Sequence, residues 1–180
     1  MKRRTPLFVF AVFALAATAS EAQTFAVGAG GSLVNDTGTA ATVGSFRTGG
    51  GFLFGELELE TDVFLQLRAS RFVVPGTVNE APNVRVDAGD ISVGYHIREE
   101  WFRAGLYVGL GVYRLVPRDP NADQTAVDPK ETSFGWTGAI TAGFALTRNL
   151  ELRLEGSGHL IRSGVKHDPI LLSTALAYHF

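Results

Sequence analysis

From Gln23 onward, hydrophobic side chains recur at every second position, the period of a strand whose two faces meet different surroundings. The end of the chain is the clearest case. Leu172, Thr174, Leu176, Tyr178 and Phe180 share one face, and Leu171, Ser173, Ala175, Ala177 and His179 share the other. Residues 150–162 repeat the pattern, with Leu150, Leu152, Leu154 and Leu160 opposite Glu151, Arg153, Glu155, Ser157 and His159. In 133–146, Phe134, Trp136, Ile140, Phe144 and Leu146 oppose Ser133, Thr137, Ala139, Thr141 and Ala145. In 102–113, Phe102, Leu106, Val108, Leu110 and Val112 oppose Arg103, Tyr107 and Tyr113. Further strands are expected near 24–34, 44–60, 63–74 and 84–97, for a total of eight. Around Phe52 and Phe54 the alternation blurs, and the strand limits there are set less sharply.

The connectors alternate in length. Thr61-Asp62, Arg98 to Trp101 and Thr147 to Asn149 are tight, whereas 35–43, 75–83, 117–132 and 164–168 are longer and rich in Gly, Pro, Asn and Asp. Short turns at one end and long loops at the other is the layout of a membrane-spanning barrel, and an even strand count returns both termini to the short-turn side.

The first 22 residues read as an address. Lys2, Arg3 and Arg4 precede an eleven-residue apolar run, Leu7 to Ala17, and Ser20-Glu21-Ala22 supplies small residues at a cleavage site. Such a run is too short for a membrane-spanning helix of about 20 residues, and no later segment is longer. The expected division is a signal peptide over 1–22, Sec-type export with cleavage before Gln23, and one barrel domain over 23–180. The mature chain would carry 13 basic and 17 acidic residues, a net charge of -4. That balance argues against a nucleic-acid partner, which needs a basic surface. With no Cys, disulfide scaffolds, thiol catalysis and thiolate metal sites are excluded.

Period alone does not say which face is outside. A soluble barrel of lipocalin type, binding a lipophile in the periplasm, would bury the apolar face. The polar face of 133–146 is small and uncharged, however, which makes a poor solvent surface and a good lining for a narrow barrel. The apolar face is too bulky to fit inside eight strands. Aromatics also collect at strand ends: Phe25, Tyr95, Phe102, Phe144, Tyr178 and Phe180 at one, Phe134 and Trp136 at the other, as interfacial girdles require. The fold expected is all-β, an eight-stranded antiparallel up-and-down transmembrane β-barrel.

The leader, the eight alternating segments and the final Leu-Leu-Ser-Thr-Ala-Leu-Ala-Tyr-His-Phe at 171–180 resemble the small outer-membrane β-barrel proteins of Gram-negative bacteria, the family of the OmpA transmembrane domain and OmpX-like proteins. Leu172, Leu176, Tyr178 and Phe180 match the family's signal to the barrel-assembly machinery, with Thr174 its weak member. The resemblance implies the bacterial outer membrane, a monomer, and contact with outer-membrane lipid and lipopolysaccharide. The family's functions range from anchoring and adhesion to lipid modification.

Three constellations could carry chemistry. Glu56, Glu58, Gln66, Arg68, Asp90, His96, Arg103, Glu151, Arg153 and Glu155 are expected to face inward, and eight strands leave room for paired side chains but not for a water column. His159, followed by Ser163, His167 and Asp168, could serve a hydrolase. Gly158-His159-Leu160-Ile161 resembles the region where outer-membrane lipid A deacylases place His and Ser two residues apart. Here Ile161 stands where that Ser would be, so the nucleophile is missing. Asp119-Pro120-Asn121-Ala122-Asp123 opens like a calcium loop but has Gln124 and Lys130 where Gly and Glu belong, which leaves weak bridging to lipopolysaccharide phosphates. Gly28 to Gly31 and Gly49 to Gly51 lack the Lys-Ser/Thr ending of a phosphate cradle and suit strand curvature and close packing. His96, His167 and His179 have no second ligand at metal spacing. No catalytic residue, cofactor or metal is assigned, and the function expected is structural or surface interaction without an open pore.

Overall fold

The computed structural model describes residues 24–36, 48–59, 62–75, 83–117, 131–163 and 168–180. Among them are eight strands and no helix: β1 (Phe25–Asp36), β2 (Thr48–Glu58), β3 (Val63–Val74), β4 (Val84–Arg98), β5 (Phe102–Pro117), β6 (Glu131–Ala145), β7 (Leu150–Ile161) and β8 (Pro169–His179). Each pairs antiparallel with its neighbour in sequence, and β1 pairs with β8 to close the barrel. The shortest strands have 11 residues. At about 3.4 Å per residue and a tilt of about 40°, that is enough to cross an apolar band of about 25 Å.

The inner end, with the short turns, is pinned by backbone bonds. Leu146 N donates to Leu150 O at 2.8 Å, Glu99 N to Phe102 O at 2.8 Å, and Phe180 N to Phe25 O at 2.8 Å across the seam. Asn149 Nδ2 donates to His179 O at 2.7 Å and ties the β6–β7 turn to the last strand.

The two faces sort as the alternation requires. Outward lie Ile91, Val93, Tyr95 and Ile97 on β4, Leu106, Val108, Leu110 and Val112 on β5, and Leu172, Leu176 and Tyr178 on β8, all large and all exposed. Phe134 and Ile140 reach 72% and 71% exposure. An apolar surface that rings the molecule is far larger than a water-soluble monomer carries. The soluble lipophile-binding alternative is therefore set aside: the bulky face points out of the barrel, toward lipid. Phe25 packs on Phe180, Tyr178 on Phe180, and Trp101, Phe102 and Phe144 on one another at the inner end, forming one girdle.

The interior is more apolar than the charges and small residues expected on its lining suggest. Its outer part is an apolar plug of Val34, Phe72, Val74, Val84, Val86, Tyr113, Leu115, Ile161 and Leu171. The strand limits lie within two residues of the expected connectors: β1 runs to Asp36, β5 to Pro117, β6 from Glu131, and β8 starts at Pro169 as expected. Phe52 and Phe54, which blur the alternation, also point inward. They fit because their paired neighbours on β1, Gly28 across from Phe54 and Gly30 across from Phe52, carry no side chain. A Cβ on Gly28 would stand 2.3 Å from the Phe54 ring, and one on Gly94 2.3 Å from the Phe64 ring. The close-packing expectation for Gly28 to Gly31 holds for Gly28 and Gly30, which face inward. Residues 1–23, the 44–47 start expected for β2, the Asp119–Asp123 motif and His167 lie outside the described residues.

Candidate functional site

The barrel interior gathers nearly every charge assigned to it, in two levels beneath the plug. At the inner level Glu56 and Glu58 on β2, Glu151 and Arg153 on β7, Arg98 on β4 and Arg103 on β5 form one network. Arg153 Nη1 donates to Glu56 Oε2 at 2.7 Å and its Nε to Glu151 Oε1 at 2.9 Å. Arg103 bridges Glu56 and Glu58, each at 3.1 Å, and stands 3.6 Å from Glu151. Arg98 pairs with Glu58 at the mouth. Three carboxylates thus meet three guanidiniums, which lets burial proceed without a stranded charge. Arg153 also lies over the Phe54 ring at 4.9 Å.

At the middle level Arg68 on β3 spans the lumen. Its Nη1 bonds Glu155 Oε1 on β7 at 2.5 Å and the Tyr107 hydroxyl on β5 at 2.8 Å, and its guanidinium lies 3.8 Å from the Phe52 ring centre. Asp90 sits beside it on β4, directly across from Arg68 in register, and accepts from Ser92 Oγ at 3.4 Å. Gln66 reaches down to Glu56 at 3.5 Å.

Sequence spacing offers His96 no second metal ligand, yet closure brings ligand atoms of Glu56, Glu58 and His96 within 4.8 Å of one another. A divalent ion there would have to displace Arg98, Arg103 and Arg153 from the same two carboxylates. The donor set suits an ion-pair network better than a metal. Three partners escaped sequence reasoning: Tyr107, Arg98 and His179, whose Nε2 lies 3.3 Å from Glu151. The signal for the first was its place on the inward face of 102–113.

His159 is 2% exposed and faces the underside of the plug. Its Nδ1 is 3.0 Å from the Tyr113 hydroxyl and its ring packs on Phe72. Ile161, two residues on, is part of the plug itself. Ser163 stands past the end of β7, where its backbone N bonds Ile161 O at 3.0 Å. A base that acts on lipid must meet its substrate at the outer face or rim; His159 looks the other way.

The inner network makes a stability prediction. Replacing Arg153 with Met leaves Glu56 and Glu151 buried and undercompensated, at a cost of about 3 kcal/mol or more. Urea unfolding of the barrel in lipid vesicles should show the loss, and adding Glu56→Gln should recover part of it. Equal, additive losses from the two single variants would show that the pair is not coupled.

The family model for the outer membrane protein beta-barrel domain matches residues 6–180. Among solved structures, neisserial surface protein A is 14% identical with a TM-score of 0.62, covering 88% of this chain and 97% of that one. The N-terminal β-barrel domain of OprF from Pseudomonas aeruginosa is 12% identical with a TM-score of 0.63, covering 87% and 97%. The outer membrane enzyme PagL is 7% identical with a TM-score of 0.52, covering 85% and 98%. At such identities the likeness to each is one of fold. The sequence finds no match among the curated proteins. With a closed eight-stranded barrel, an apolar outer belt and a family model spanning nearly the whole chain, this protein belongs to the outer membrane protein β-barrel domain family and resides in the outer membrane.

Proposed function

We propose that this protein is a non-enzymatic outer-membrane barrel with no open pore, serving the envelope as a structural or surface-interaction element. The observation that carries this is the filled interior. An ion needs a continuous wet path, but below lies a crossbeam of Arg68, Glu155 and Tyr107, and above it Phe72, Tyr113, Leu115 and Leu171 are each 1% exposed or less. Dehydrating an ion through an apolar stopper of this kind is costly. The leader over 1–22 fits Sec-type export with cleavage before Gln23. The outward row Leu172, Leu176, Tyr178 and Phe180, exposed along β8, supports recognition by the barrel-assembly machinery during insertion.

The fold shared with PagL raises lipid modification as the alternative. The inward placement of His159, its bond to Tyr113 and the apolar Ile161 at the nucleophile's place weigh against it.

Two measurements follow. Purified barrel inserted into planar lipid bilayers is expected to give no unitary conductance steps; steady, reproducible steps would refute the closed lumen. Mass spectra of lipid A from cells carrying the wild type, the His159→Ala variant and an empty vector should be identical. Loss of an acyl chain in the wild type alone would make the protein an enzyme.

A further inference from the structure

The outward faces of β3, β4 and β5 change character at their outer ends. Along β5 the lipid-facing residues run Leu106, Val108, Leu110 and Val112, and then comes Arg114. Along β4 they run Tyr95, Val93 and Ile91, then Gly89, Asp87 and Arg85. Along β3 Leu65, Leu67 and Ala69 lead to Arg71. The register sets these charges in a row: Arg71 is opposite Asp87, Asp87 opposite Arg114, and Arg114 opposite Thr132, with Arg85 two residues further out. Three guanidiniums and one carboxylate leave a net charge of +2 on the outside of the barrel, immediately above its apolar belt.

Asp87 holds two of the arginines side by side. Its Oδ1 accepts from Arg71 Nε at 2.5 Å, and its Oδ2 lies 3.5 Å from Arg85 Nη2. The Arg71 bond does not involve that residue's terminal nitrogens, and its side chain is 68% exposed. Arg85 Nε is buried and has no hydrogen-bond partner among the described residues. Beside them opens a hollow of about 620 Å³ lined by Gly49, Gly51, Arg71, Val73, Arg85 and Val116. Its floor is bare because Gly49 and Gly51 face outward: a Cβ there would meet only the carbonyl oxygens of Ser32 at 3.5 Å and Gly30 at 3.6 Å.

We propose that this face is a binding site for the phosphorylated headgroup of an outer-leaflet glycolipid, with Arg71, Arg85 and Arg114 on the phosphate and the Gly49–Gly51 hollow, flanked by Val73 and Val116, receiving an acyl chain. One carboxylate among three guanidiniums leaves the row short of anionic charge, and the headgroup layer next to the hydrocarbon is a source of it. Neighbouring guanidiniums can donate to the several oxygens of a phosphomonoester, and a net +2 matches its double charge. The site deepens the surface-interaction role proposed above and rests on the long-loop end facing the cell surface.

The test uses the full mature chain, folded in detergent micelles, titrated with a bisphosphorylated lipid A and with the same lipid after phosphatase treatment, complexes being counted by native mass spectrometry. Dephosphorylation should weaken binding by about tenfold, and the R71Q/R85Q/R114Q variant should lose the same preference. R148Q, in an exposed inner turn, should bind as the wild type does, and G51L should weaken the acylated ligand with its phosphate intact. Millimolar inorganic phosphate should displace little of the lipid. Equal binding of both lipids, an R71Q/R85Q/R114Q variant that behaves like R148Q, or full displacement by inorganic phosphate would each overturn the assignment. Because binding is read in micelles, a conducting barrel would refute the closed lumen without deciding this site.

Discussion

Within hydrocarbon no water is available to a backbone amide, so every strand must have two neighbours and the first must find the last. The pairing of β1 with β8, Ala26 opposite His179 through to Asp36 opposite Pro169, meets that requirement, and the rest of the molecule depends on it. Closing the sheet at eight strands sets a lumen too narrow for a water column and too wide to leave empty. The interior must therefore be filled with side chains, and those that carry charge must arrive with their opposites.

How that filling is achieved explains the odd distribution of residue sizes. Charged side chains in the inner and middle levels are long, so they can reach across: Arg68 to Glu155, Arg153 to Glu56. Aromatic rings then lie under the two arginines, Phe52 beneath Arg68 and Phe54 beneath Arg153, and glycines on β1 make room for the rings. Above them charge pairing gives way to an apolar core inside the outer mouth, with Ser133 and Glu131 bonded to each other at its level. The barrel is thus inverted at its outside and ordinary at its upper inside. This arrangement fills the lumen with side chains at all three levels.

Much of the fold was legible because lipid and lumen impose opposite rules on alternate residues. On β8, Leu172, Leu176 and Tyr178 separate cleanly from Ser173, Ala175 and Ala177, and the bulk of the first set against the small size of the second tells which face is outside. The inward charges were readable for the same reason, since an unpaired charge facing hydrocarbon is costly. Their partners were not: Arg153 and Glu56 lie 97 residues apart and meet only after closure. The plug was hidden too, because Val34, Phe72, Val74 and Val84 look like lipid-facing residues when both faces of a strand are apolar. The same failure obscured the outward row of Arg71, Asp87 and Arg114, where a polar residue on the outer face signals the end of the belt and not the end of the strand.

Everything above requires the closed, lipid-belted barrel to be the native state, with the hydrogen bonds of its sheet all internal. The most direct test is the migration of detergent-extracted protein on an SDS gel with and without boiling. A sheet with no free edge resists the detergent until heated, so the unboiled sample should run as a compact, faster band and the boiled one at the mobility of the unfolded chain. Co-migration of the two, with the protein recovered from the soluble periplasm, would contradict the barrel's placement in lipid, because it would mean that the faces are the other way round.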